Sequence, residues 1–205
     1  MPDQRDVVRR GYDEIAERYV AARTWGGDVA LLPELVTRLR PGDTILDAGC
    51  GAGVPVMREL TDAGMAVVGV DLSGAQIELA HSRVPEADLA QVDLVTLPFR
   101  ARSFDGLVSF YAVIHVPRAY HSAVFTEFRR VMRPGGVALL CLGARDLPED
   151  DDVDSWLGTH MFWSHFDAET NLEMLRAAHF DVLRDDIVAD PMDHGHHLFA
   201  LVAAH

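Results

Sequence analysis

Apolar residues at Val7, Val8, Tyr12, Ile15, Ala16 and Tyr19 recur at spacings of three and four, so residues 6–23 read as an amphipathic helix with two tyrosines on its buried face. Gly26-Gly27 interrupts the pattern, a second helix follows over 31–39, and Pro41-Gly42 ends it. That hinge separates an N-terminal helical cap or lid, 1–41, from a core, 42–205. In the core, short apolar runs alternate with helical stretches: strands over 44–48, 66–70, 88–92, 103–110 and 137–142, helices over 54–64, 74–83 and 118–132. A helix over 167–179 and strands over 180–188 and 198–203 close the chain. Runs such as Val137 to Leu142 are apolar throughout, as strands buried on both faces of a parallel sheet must be. The expected fold is therefore a doubly wound α/β domain with a seven-stranded, mostly parallel sheet whose last strand is antiparallel. Residues 143–164 follow no period and read as a long lid or binding loop, acidic at first and then aromatic.

The first core strand runs straight into a glycine-rich turn, Thr-Ile-Leu-Asp-Ala-Gly-Cys-Gly-Ala-Gly over 44–53. Gly49, Gly51 and Gly53 let the backbone bend sharply and let a ligand approach bare main chain. A dinucleotide fingerprint has G-x-G-x-x-G; here the third glycine arrives one residue early and Val54 takes its place. Asp47, inside the strand end, gives a pyrophosphate nothing and suits a ligand with a cationic group. The second strand delivers Asp71 at its end, where an acid accepts two hydrogen bonds from a ribose diol. Asp71 specifies a ribose and leaves open which nucleoside cofactor carries it.

This turn resembles the first motif of the class I S-adenosylmethionine-dependent methyltransferases, an acid followed by G-x-G-x-G. The likeness extends through Asp93-Leu94, Phe-Asp-Gly-Leu-Val at 104–108, His-Val-Pro at 115–117 and Arg-Pro-Gly-Gly at 133–136, and is strong over 44–142. It implies S-adenosyl-L-methionine as cofactor, with Asp47 toward the ammonium, Gly49, Gly51 and Gly53 against sugar and methionine, and Asp93 and Leu94 holding the adenine. Tyr19, Leu72, Gln76 and Phe110 complete the cofactor contacts expected on that basis. The phrase Tyr-Asp-Glu-Ile-Ala-Glu-Arg-Tyr at 12–19 is similar to the family's N-terminal lid helix. The expected activity is methylation of a small molecule at oxygen or nitrogen. An NAD-dependent oxidoreductase shares Asp71 and the fold and stands as the rival, as does a methyltransferase-fold protein acting as a cyclase or scaffold.

Charge and composition narrow the partners. The 205 residues carry a formal charge of −14, and all 18 basic side chains are arginine, an impression of GC-rich bacterial coding. A phosphate backbone is bound through basic patches, so nucleic acid is not the expected substrate. No run approaches the ~20 apolar residues of a membrane helix, and the charged start is unlike a signal peptide, so a cytoplasmic protein without a membrane partner is expected. Cys50 and Cys141 give neither a metal spacing nor a disulfide framework. Outer strands or N-terminal helices are available for pairing into a homodimer.

A hydroxyl or protonated amine acceptor must lose a proton, and histidine titrates in the right range. His115, just after the fourth strand, is the expected catalytic base. Tyr12, Trp25, Tyr111, Trp163 and His165 are the expected substrate contacts, with Trp156 and Phe162 as further candidates for an aromatic pocket. The stretch Asp193-His194-Gly195-His196-His197 reads as a solvated hairpin, with no metal assigned. If the strand before it runs parallel with the rest, it lies on the same rim as the glycine turn.

Overall fold

The computed structural model describes residues 3–23, 29–190, 192 and 195–205, with the backbone path alone over 149–155. Five parallel strands carry the centre: β1 (Thr44–Ala48), β2 (Ala66–Asp71), β3 (Asp88–Gln91), β4 (Phe104–Ser109) and β5 (Met132–Gly143). With β8 (Phe180–Ala189) and β9 (His196–Ala204) they form a seven-stranded sheet in the order β3-β2-β1-β4-β5-β9-β8. β9 is antiparallel to both β5 and β8, so β8 runs with the parallel set and its exit reaches the rim of the glycine turn. The chain winds outward from β1 through β2 to β3 and from β4 through β5, which leaves the crevice beyond β1 and β4 at the switch point.

Helices α5 (His121–Val131) and α6 (Ala168–Ala177) cover one face, with Val124, Phe125, Phe128 and Leu175 buried against Leu46, Leu107 and Leu140. On the other face, α2 (Leu32–Val36) and α3 (Val56–Asp62) bury Leu32, Leu35, Met57 and Leu60 against Ile45, Val108 and Leu139. The second expected helix, 31–39, is thus one short helix preceded by a 3-10 turn at Val29–Leu31. Pro33 in its first turn and Thr37, which bonds back to the Glu34 carbonyl, bound it. Helix α4 (Gly74–Arg83) starts on Ser73, whose hydroxyl accepts from the Gln76 N–H.

The expected loop over 143–164 is a β-hairpin of β6 (Leu147–Trp156) and β7 (Thr159–His165). Leu157 and Gly158 both take positive φ, 51° and 84°, the conformation that turns a two-residue hairpin. Three register shifts along the pair scramble the alternation by which strands are recognised, which is why the segment looks unpatterned. Helix α1 (Gln4–Ala22) lies across this hairpin and over the crevice. Val8 and Ile15 are buried with Met161 and Phe162, and Tyr12, Tyr19, Trp156 and Trp163 pack around them. Gly11 permits the close approach: a Cβ there would come 2.9 Å from the His160 carbonyl oxygen and 2.8 Å from Met161 Cε. Among the described residues no helix is long and apolar enough to cross a membrane.

Candidate functional site

The glycine turn is pinned by main-chain bonds before any ligand is considered. Gly49 and Cys50 N–H both donate to the Val70 carbonyl, at 2.7 and 2.9 Å, tying the end of β1 to the end of β2. Gly49, at φ 87°, also passes so close to Ala112 that any Cβ would overlap its methyl. Asp71 knots the corner: its two carboxylate oxygens accept from Gly51 N–H at 2.8 Å and Ser73 N–H at 2.9 Å. A carboxylate has about four lone-pair sites, so acceptor capacity remains. Burial raises Asp71 to about 6, against the pull of those two N–H donors.

Asp47 is different. It is 2% exposed, burial and then the nearby Asp71 charge push it up to about 8, and among the described residues no donor reaches its carboxylate. Gln76 is 1% exposed, and among the described residues neither its side-chain nitrogen nor its oxygen has a partner. Buried polar groups left in this state cost stability unless something else satisfies them. Both lie in the walls of the crevice. A cleft is lined by Tyr12, Tyr19, Gly49, Gly51, Asp71, Leu72, Gln76, Asp93, Leu94, Phe110, Tyr111 and His115. An adjoining cavity holds Asp47 and shares Tyr19, Gly49, Gly51 and Phe110 with it. The three acids therefore face one continuous crevice, whose Asp47 end is also lined by Arg23. Gly53 is the exception among the expected cofactor contacts: its place is structural, since a Cβ there would press on Val84 and Ala80 at 3.1 and 3.4 Å.

On the far side of the two tyrosines is a chamber walled by Tyr12, Tyr19, Tyr111, Ile114, His115, Trp156 and Trp163, with Arg23, Asp190, Met192 and His197. Its rings meet edge to face, Tyr12 to Tyr19 at 5.3 Å and Trp156 to Trp163 at 5.5 Å between centroids. Arg23 and Asp190 form a buried ion pair, 2.9 and 3.1 Å, and the Arg23 guanidinium lies 3.8 Å from the Tyr111 ring centre. Tyr111 sits at φ 56°, a costly backbone state for a bulky residue, and this turn sets its ring between cleft and chamber. Tyr12, Tyr19, Tyr111 and His115 line both spaces and mark their junction.

His115 is held from both sides, Nδ1 at 2.8 Å from the Phe162 carbonyl oxygen and Nε2 at 3.0 Å from the Tyr12 hydroxyl. Burial lowers it to about 4, so the ring is neutral at pH 7. Of the expected substrate contacts, Tyr12, Tyr111 and Trp163 reach the chamber, and Trp25 lies outside the described residues. His165 does not reach it: it is buried at the end of β7, with Nδ1 2.8 Å from the Arg145 carbonyl and its ring against Gly143. Of the C-terminal histidines, His197 reaches the chamber wall, while Asp193 and His194 lie outside the described residues.

Several residues at the site carry no sequence signal. Arg5 and Arg9 line the cleft, and Arg5 Nη1 bonds the Asp93 carboxylate at 2.9 Å. Asp13 accepts from the Ser73 hydroxyl at 2.7 Å and Ala75 N–H at 3.2 Å, and Glu14 from Thr159 at 2.8 Å. With Arg23 on Asp190 these contacts strap α1 over the crevice along its length. On a helical wheel they belong to the charged face, indistinguishable from solvated side chains.

Residues 45–136 match the family model of the methyltransferase domain. The chain is 32% identical over 154 residues to the 27-O-demethylrifamycin SV methyltransferase of Amycolatopsis mediterranei strain S699, covering 63% of this chain and 55% of that one. It is 34% identical over 160 residues to the demethylmenaquinone methyltransferase of Symbiobacterium thermophilum, covering 70% and 61%. The chain thus spans little more than half the length of these curated relatives. Its fold is similar to that of the Burkholderia thailandensis 1,6-didemethyltoxoflavin-N1-methyltransferase, solved with 1,6-didemethyltoxoflavin and S-adenosylhomocysteine bound: TM-score 0.69, 19% identity, covering 96% and 90%. At that identity the likeness is one of fold.

Proposed function

We propose that this chain, whose residues 45–136 match the methyltransferase-domain model, is a class I S-adenosylmethionine-dependent methyltransferase that methylates a small aromatic molecule at oxygen or nitrogen. The observation that carries the reading is the junction: a crevice edged by three acids opens, past Tyr12, Tyr111 and His115, into an aromatic chamber. The residues fit the cofactor. Asp47, buried without a donor, suits an ammonium group, and the unsatisfied Gln76 amide suits a ligand rich in polar atoms. Asp71 keeps acceptor capacity for a ribose diol, and Asp93 with Leu94 takes the adenine, Arg5 giving up its hold on Asp93 as it arrives. When bound, S-adenosylmethionine supplies a methyl group on a sulfonium, already activated for in-line displacement.

What the protein adds is position, a dry chamber and a place for a proton. Fixing two reactants at near-attack distance is worth about 7–11 kcal/mol in favourable cases. The aromatic walls and the strapped helix α1 exclude water, and neutral His115 receives the acceptor's proton. The net charge of −14 weighs against nucleic acid in the same role. Calorimetric titration with S-adenosylhomocysteine tests the reading: binding by the wild type that is lost in Asp71→Ala supports it, and no binding by the wild type ends it. Release of S-adenosylhomocysteine from S-adenosylmethionine, followed against aromatic hydroxyl and amine acceptors, then tests the transfer.

A further inference from the structure

His115 has no open lone pair at the junction. The Phe162 carbonyl can only accept, so Nδ1 carries the hydrogen of the neutral ring, and Nε2 is the acceptor. The Tyr12 hydroxyl, 3.0 Å away, donates to it. The Nε2 lone pair is spent on Tyr12, and the lone pairs left at the end of this chain belong to the phenol oxygen. Tyr12 borders both the cofactor cleft and the chamber, and its ring is braced edge-on by Tyr19, His115 and Trp156 at 5.3, 5.3 and 5.8 Å.

We propose that the chamber takes a planar aromatic molecule bearing an acidic hydroxyl, a phenol or enol, and that this hydroxyl bonds to the Tyr12 oxygen, which relays its own proton to His115. The inference rests on the methyltransferase reading and names its substrate class. In the step, the acceptor O–H bond breaks and an O–H bond forms on Tyr12, while the original Tyr12 O–H bond breaks and an N–H bond forms on Nε2. The electron pair stays on the acceptor oxygen as the nucleophile, Tyr12 ends neutral, and the imidazolium loses its proton to solvent when the site opens.

Three features select this class. The walls are rings, which favour a flat apolar body. The cation that the described residues contribute to the wall, Arg23, is neutralised by Asp190, so a neutral body is matched better than an anion. Buried His115 is a weak base, which serves an oxygen that parts easily with its proton and fails an aliphatic alcohol.

The test uses the full chain with S-adenosylhomocysteine, titrating 4-nitrophenol and 4-nitroanisole at about pH 6, where the phenol is largely un-ionised. Quenching of tryptophan emission reports entry, since Trp156 and Trp163 wall the chamber. The wild type is expected to prefer the phenol by about tenfold, the worth of one good hydrogen bond. Tyr12→Phe is expected to lose that preference, and His115→Gln to keep it, because the phenol oxygen is still there. Equal binding of the two probes by the wild type, preference retained in Tyr12→Phe, or preference lost in His115→Gln would each overturn the relay. If neither probe enters while S-adenosylhomocysteine binds, the substrate class fails and the methyltransferase reading stands. If S-adenosylhomocysteine itself does not bind, the failure lies in that reading.

Discussion

Asp47→Asn separates what Asp47 does to the fold from what it does for the ligand. Its carboxyl is raised from 3.8 to about 8, so between those values the folded chain holds a proton that the unfolded chain has released. Stability then falls as pH rises, by about 1.4 kcal/mol per unit, until the folded group also ionises near 8. The other buried groups leave a clean window. Asp71, raised to about 6, acts below that value, and His115 and His121, lowered to about 4, act with the opposite sign below 6.5. From pH 6.5 to 8, therefore, Asp47 alone of these four removes about 2 kcal/mol from the wild type, and Asn, which does not titrate, removes none. For a chain of this length that is a fall in Tm roughly 4–8 °C larger in wild type than in Asp47→Asn. Calorimetric melts at pH 6.5, 7 and 8 read it directly. The ligand reverses the logic: an ammonium group beside Asp47 stabilises the carboxylate, so binding at pH 7 expels about 0.9 proton, the fraction held by a group titrating near 8. Binding enthalpies of S-adenosylhomocysteine in phosphate and Tris would differ by that proton's ionisation heat, and affinity would rise toward pH 8. Parallel melting curves for the two proteins, or buffer-independent heats, would refute the assignment of Asp47 as a buried acid kept for a cation.

Gly49→Ala is expected to abolish S-adenosylhomocysteine binding and cost about 1–3 kcal/mol, since φ 87° is strained for alanine and its methyl overlaps Ala112; an unchanged melt and affinity would contradict this. Arg5→Ala removes two partly exposed ion pairs, to Asp3 and Asp93, each worth at most about 1 kcal/mol, so the melt should move little. Because it frees Asp93, stopped-flow association of S-adenosylhomocysteine should quicken, and a slower rate would show that Arg5 guides the ligand. Arg23→Met leaves Asp190 buried without its cation and is expected to cost about 3–5 kcal/mol. The double variant with Asp190→Asn should recover much of that loss in the same melts; no recovery would mean that the pair is not the source.

What could be read from the chain and what could not divide along one line, the distance in sequence between the groups that act together. Strand β1, its glycine turn and Asp47 are neighbours, Asp71 ends the apolar run of β2, and Asp93 stands two residues past β3, so the sheet and the acid-lined crevice follow from local pattern. Gly53 shows the limit of a motif even there: it shares the turn with Gly49 and Gly51 and serves helix packing. The hairpin is hidden by its shifted register and by an acidic strand that resembles a solvated loop. Its place in the aromatic segment marks His165 as a substrate contact, but two residues of extended chain carry it past Trp163 to the Arg145 carbonyl. The straps of α1 bring Arg5 to Asp93, Glu14 to Thr159 and Arg23 to Asp190, and no periodicity encodes such pairs. The aromatic stripe predicts that Tyr12 faces inward, and the position of His115 after β4 predicts that it faces the crevice. Their bond spans 103 positions and exists because β7 offers the Phe162 carbonyl that fixes the imidazole tautomer. The proposed cofactor crevice is thus written in contiguous motifs, whereas the proposed proton path depends on three segments meeting, so a change in the hairpin alone is expected to alter the path and leave the crevice's motifs in place.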